Sequence, residues 1–257
     1  MEILMNMLKN EKYRFQNIDG LDQHDVEMKK NHLLASLPFE ERCYWAPELE
    51  LVYMPLWKIL QHSGKKPSFM FFPTTAMVSL MYVTLDGASS EVALTGNDGA
   101  VGMSLFLSES YTPNESLIQS SGKGFRLGAS ATKSVLKRGG PMLETLLNYS
   151  QKMMLQVMQT AVANRYFSIE QRLSRRLLLS LDRATSNDLQ ITHEMLSNIL
   201  GVRRESVTEA ALKLQKSGAI RYGRGNITIL DRIKLEKSCY ECYTRMEEVN
   251  KYPVLPI

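Results

Sequence analysis

A chain of 257 residues with 44% apolar and 23% charged side chains has room for two modest domains that each bury a core, and it lacks the composition of a disordered polymer. It has no apolar run near the roughly 18 to 20 residues of a membrane span, and Met1 to Leu8 is too short and polar for a secretory signal, so a cytoplasmic protein with no membrane partner is expected. The net charge of +4 is unevenly spread: 15 basic residues face 16 acidic ones over 1–164, 13 face 7 over 165–235, and 3 face 4 thereafter.

A short segment holding all the positive excess suits a surface for a polyanion; a merely solvated basic face is the alternative. The three cysteines, Cys43, Cys239 and Cys242, are too few and too uneven for a disulfide framework.

Residues 1–27 show no sustained period and read as a loosely ordered extension. Asn31 to Glu41 reads as a short helix with Leu33, Leu34 and Leu37 on one side, interrupted by Pro38. From Leu49 to Leu127 the texture changes to short runs of Val, Leu, Phe, Tyr and Thr. Strands are expected at Glu50 to Met54, Ser68 to Phe72, Ala76 to Leu85, Ser90 to Thr95, Glu115 to Gln119 and Gly124 to Leu127. Asp86-Gly87 and Asn97-Asp98-Gly99 mark turns between them. Several short strands at this spacing predict an antiparallel roll or barrel.

Gly139-Gly140-Pro141 opens a helix running to about Asn164, with proline suited to its first turn. Its apolar residues, among them Leu143, Leu146, Leu147, Met154, Val157, Met158 and Val162, occupy more than one stripe. One side can rest on the β domain and the other on a second chain; burial within one monomer is the alternative.

A helix at Ser168 to Asp182 follows, and then two helices joined at Gly201. Thr192 is a good N-cap for the first, whose apolar face is Leu196, Ile199 and Leu200. Gly201 permits the left-handed conformation of a tight turn. The second helix, Arg203 to Lys216, buries Val207, Ala210, Ala211 and Leu214 and leaves a polar, basic start outside, which suits a helix entering the major groove of double-stranded DNA.

On that helix Arg204, Glu205, Thr208 and Glu209 are candidate base readers, because arginine can donate twice to guanine and glutamate can accept from cytosine N4. Thr192, Arg203, Ser206 and Lys213 are candidate phosphate contacts. Two short β runs around Gly223 to Asn226 form a hairpin behind it, a wing on which Arg221 and Arg224 meet the DNA backbone or minor groove. A purely structural helical hairpin is the alternative reading of the helix pair.

This order of elements resembles the Crp/Fnr family of bacterial transcription regulators over roughly Asn31 to Tyr243. The likeness is strongest in Gly201-Val202-Arg203-Arg204-Glu205-Ser206-Val207, similar to the family's Gly-x-x-Arg-Glu-Thr-Val signature with Ser206 replacing Thr. It implies an α+β fold: an N-terminal antiparallel β-roll of cyclic-nucleotide-binding type, a long dimerisation helix and a C-terminal winged helix-turn-helix. The corresponding divisions are 1–27, 28–139, 140–167, 168–243 and a tail over 244–257.

A non-enzymatic homodimer on a two-fold DNA site is implied, with RNA polymerase as a further candidate partner and the small-molecule effector unidentified. The nucleotide cassette departs from the family pattern. Met103 follows Gly102 where a glutamate would hold the ribose, and no arginine stands near Asn114 and Glu115 to neutralise a cyclic phosphate, so cAMP is not expected as a cofactor. Cys239-x-x-Cys242 lacks a second ligand pair and reads as structural rather than as zinc or redox chemistry. The four histidines show no metal spacing, and His193 fits a surface or phosphate-proximal position. No cofactor, metal or catalytic signature is assigned.

Overall fold

The computed structural model describes residues 18–107, 111–223, 225–239 and 243. Seven strands build the N-terminal roll: β1 (Leu49–Met54), β2 (Ile59–Gln61), β3 (Phe69–Pro73), β4 (Met77–Val83), β5 (Ser89–Thr95), β6 (Glu115–Ser120) and β7 (Gly122–Gly128). They form two sheets, β1-β7-β3 and β2-β6-β4-β5, and the strand pairs are antiparallel. Both turn signals hold. Asp86-Gly87 lies in the β4–β5 loop, where Gly87 has φ 86° and Thr84 N donates to Ala88 O at 2.8 Å. Asn97-Asp98-Gly99 follows β5, and Asp98 Oδ1 accepts from Gly96 N at 3.0 Å.

Val78, Leu80, Ala93 and Ile118 fill the space between the sheets. A second cluster joins Trp45, Phe72, Phe125 and Leu127 to the helical elements. Strand β4 does not alternate in burial, since Met77, Ser79 and Met81 on its outer face are as buried as Val78 and Leu80. The C-terminal domain covers much of that outer face over 77–81, and only the end of the strand, Tyr82 and Val83, is exposed.

The helical pieces of the N-terminal domain depart from expectation at several points. Residues Ile18–Met28 are a helix, α1, rather than part of a loose extension. It is anchored by the fully buried Met28, by His24 edge-on to Phe125 at 5.0 Å, and by Arg42 Nε donating to Asp25 Oδ1 at 2.6 Å. Those contacts come from a few points and leave no apolar period to read. The helix around Pro38 is split into α2 (His32–Ala35) and α3 (Phe39–Trp45), because the proline cannot continue the first hydrogen-bond ladder. After α4 (Met103–Leu107), an unforeseen α5 (Ala129–Arg138) packs on β7.

The long helix α6 spans Pro141–Tyr166, with Gly139 and Gly140 at φ 71° and 80° before it. One side, Met142, Leu146, Tyr149 and Gln156, is buried in this chain. Another carries exposed Leu147, Met154, Met158 and Val162. Tyr149 passes so close to Gly99 that a Cβ there would lie 2.3 Å from the phenol oxygen, which is why only glycine fits that turn.

Helix α7 (Ile169–Leu181) begins at a capping box, Ser168 with Gln171, and fastens the C-terminal domain to the roll. Arg176, with its side chain 3% exposed, places Nε 2.6 Å from Glu91 Oε1 on β5. Glu91 also accepts from Ser79 Oγ at 2.5 Å, and Gln119 Oε1 accepts from Arg176 and lies 3.1 Å from the same Ser79 hydroxyl. A second pair, Arg183 with Asp98, adds a two-point contact.

Removing one partner of a buried pair strands the other charge. Arg176→Met should therefore destabilise the protein by about 3 kcal/mol, whereas Arg176→Leu combined with Glu91→Leu should recover most of that loss. Urea denaturation of the three proteins checks this, and equal losses for the single and double variants would remove the pair from its role.

Candidate nucleic-acid interface

The C-terminal core is built from α7, a short strand β8 (Asp188–Gln190), α8 (His193–Leu200), α9 (Arg204–Lys216), β9 (Ile220–Gly223), β10 (Asn226–Ile229) and α10 (Arg232–Ser238). Thr192 caps α8 as expected, its Oγ1 accepting from Met195 N at 3.1 Å. Gly201 then adopts φ 62° and ψ 42°, the left-handed geometry the helix pair requires. Val207, Ala210, Ala211 and Leu214 are the buried side of α9. The wing is a three-stranded sheet, β8-β10-β9, in which the sequence reading had only the last two strands.

Arg203, Arg204 and Glu205 are exposed together at the N-terminal end of α9, and Arg221 is exposed on β9. Glu209 and Lys213 are also exposed but pair with each other at 3.1 Å, one turn apart. Ser206 is half-buried, and Thr192 Oγ1 accepts the capping bond, which does not use its hydroxyl proton. Arg224 lies outside the described residues.

Thr208 is turned inward. Its Oγ1 donates to Arg204 O at 3.0 Å and lies 3.0 Å from His193 Nδ1. His193 is correspondingly not a surface residue: it is 7% exposed and stacks on Tyr222 with ring centroids 3.9 Å apart. It ties the two helices to the wing, a role legible in principle from its spacing, since positions 193, 196 and 200 share one helical face. Burial lowers the His193 pKa below its ordinary value, and the nearby Arg204 lowers it further.

The turn itself touches the roll. Ser90 Oγ reaches Ile199 O at 3.5 Å, and Arg172 donates to Leu200 O. At the far end of the domain Tyr243 OH donates to Asp182 Oδ2 at 2.7 Å, and Cys239 is buried with Sγ donating to Leu235 O at 3.3 Å. Cys242 lies outside the described residues.

In the roll, the cassette positions are filled by protein. Gly102 has φ 99°, and a Cβ added there would stand 2.6 Å from Gln61 Nε2. That amide donates to Phe69 O at 2.9 Å and lies beside Ser116, whose Oγ is 3.5 Å from Gln61 Oε1. Met103 is 8% exposed and packs into the apolar cluster under Phe72 and Phe125. Asn114 bonds with Thr112, and Glu115 faces His62 at 3.7 Å. Sequence reading had not identified Gln61, because a lone glutamine in a short strand gives no local signal.

Residues 171–238 match the family model of the Crp-like helix-turn-helix domain. No curated protein sequence matches the chain. Among solved structures, one of the Crp/Fnr family of transcriptional regulators from Eubacterium rectale superposes with a TM-score of 0.64 at 18% identity, covering 82% of this chain and 99% of that one. FixK2 from Bradyrhizobium japonicum gives 0.63 at 13% identity over 74% and 96%. A CRP-family transcriptional regulator from Thermus thermophilus gives 0.62 at 15% identity over 74% and 96%. At these identities the likeness is one of fold.

Because the folded state holds His193 neutral, its pKa there is lower than in the unfolded chain, where it is about 6.5. The unfolded state then binds more protons between the two values, so this group's contribution is complete above about pH 6.5 and is lost as pH falls below it. His193→Phe, which keeps the stack on Tyr222, should flatten that part of the stability profile. Thermal melts from pH 7.5 to 5 check this; an unchanged slope would exclude His193 as its source.

Proposed function

From a chain that carries a Crp-like helix-turn-helix DNA-binding domain on the fold of the Crp/Fnr-type transcriptional regulators, we propose a sequence-specific DNA-binding homodimer that acts on a two-fold symmetric site. The carrying observation is the exposure of Arg203, Arg204 and Glu205 at the start of a helix whose other side is fully packed. Such a helix end can enter a major groove without exposing its core.

Arg204 and Glu205 read base edges, while Arg203, Ser206 and Arg221 hold phosphates. Thr208 supports the reading helix through His193, and Glu209 reaches a base only when Lys213 releases it for a phosphate. The exposed stripe on α6 is the dimer surface, since Leu147, Met154, Met158 and Val162 lie one to two turns apart along one side. The roll does not bind cAMP: Gln61 occupies the space beside Gly102, and Glu115 stands where an anionic phosphate would need a cation.

Selection of random duplexes by the purified protein should return a two-fold consensus with half-site centres about 10 base pairs apart. Uniform weak binding would instead favour a module that has lost DNA recognition. Arg204→Ala should relax discrimination at one base pair by about 1 to 3 kcal/mol, while Arg221→Ala should weaken all duplexes alike and lower the salt dependence. Calorimetric titration with cAMP should give no binding in the micromolar range; saturable heat at one nucleotide per chain would overturn the account of the cassette.

A further inference from the structure

The outer face of the β2-β6-β4-β5 sheet is not sealed completely by the C-terminal domain. Between it and α8 lies a cleft of about 410 Å3 whose apolar walls are Trp57, Met81, Leu117, Met195 and Ile199. That volume lies within the range of small-molecule sites, which are mostly apolar with a few placed polar groups.

Gln119, 6% exposed, belongs to the same lining. Its Oε1 already accepts from Arg176, but its buried Nε2 has no hydrogen-bond partner. A buried donor left unmatched is costly, and a ligand bringing an acceptor removes that cost. Gln119 also borders a second cleft of about 290 Å3 lined by Thr75, Ser121 and Ser186, which lacks the aromatic and thioether walls of the first.

Trp57 supplies the second independent feature. Among the described residues it alone has a positive φ without being glycine, at 67°, and it is 51% exposed. Trp57 is the third residue of a turn closed by Lys58 N donating to Pro55 O at 3.2 Å, a position that glycine favours; the strained backbone there presents a large apolar ring at the cleft, as a ligand clamp does. The charge of the lining limits the ligand further: Glu194 is present, and neither Lys nor Arg is. An anion is disfavoured there.

We propose that this cleft binds an uncharged, planar aromatic molecule bearing a hydrogen-bond acceptor, with its ring on Trp57 and its acceptor on Gln119 Nε2. The site is separate from the cassette at Gly102. Its occupant touches the roll and the first helix of the helix-turn-helix at once, so any regulatory consequence rests on the DNA-binding reading, whereas binding itself does not.

Nile red, an uncharged fused-ring dye with a carbonyl, is the probe. Titration of the full chain without DNA should give saturable emission at one dye per chain. Trp57→Gly supplies the residue that the turn's φ favours and removes the indole; Asn198→Trp fills the cleft from the exposed side of α8. Each should weaken the apparent Kd at least tenfold while leaving the circular-dichroism spectrum unchanged. The anionic dye 1-anilinonaphthalene-8-sulfonate should bind at least tenfold more weakly than Nile red. Binding that does not saturate, an affinity indifferent to both substitutions, or equal affinity for the sulfonate would overturn the proposal, and none of these outcomes bears on DNA recognition.

Discussion

The guanidinium of Arg176, carried into the seam between the domains with almost no contact with water, sets the condition that the rest of the arrangement must meet. A buried cation needs a fixed carboxylate and further hydrogen bonds, or its desolvation is not offset. Glu91 provides the charge from β5, while Ser79 from β4 and Gln119 from β6 supply the surrounding oxygens. Three strands of one sheet and one helix are thereby fixed relative to each other. An apolar contact of the same area would tolerate sliding; this one has a single register.

The helix-turn-helix inherits its position from that seam. Ser90, one residue before Glu91 on β5, contacts the carbonyl of Ile199 just before the helix-turn-helix turn. Arg172, one helical turn before Arg176 on α7, donates to the neighbouring carbonyl of Leu200. The backbone leading into Gly201 is held by the same two elements that hold the ion pair. Strand β5 of the roll and the turn at Gly201 are therefore linked through immediate neighbours of the ion pair and not through a distant chain of contacts.

Much of this was legible in the residues. The strands with turn glycines, Thr192 as a cap, Gly201 as a left-handed stop and the apolar side of α9 follow from local rules, and they stand where those rules put them. What was not legible depends on long-range contacts. Helix α1 is held by Met28 and Asp25 through partners far along the chain, and β8 is too short to announce itself except by pairing with β10. His193 was misplaced because polar identity outweighed helical position. Thr208 was assigned to bases although its hydroxyl is taken by His193 and the Arg204 carbonyl. The assignments of Arg204, Glu205 and Arg221 rest on exposure and residue chemistry alone, since neither α9 nor the wing carries a sequence feature that states which base it meets.

The exposed stripe of Leu147, Met154, Met158 and Val162 on α6 carries a quantitative consequence under the pairing of two chains proposed above. Where most chains are single, the concentration of pairs grows as the square of the concentration of chains, because assembly follows mass action. Occupancy of the proposed two-fold site would then respond more steeply to synthesis and turnover of the polypeptide than a one-chain binder would. Under that proposal the amount of chain present would itself set site occupancy, through the strength of one thioether-rich seam.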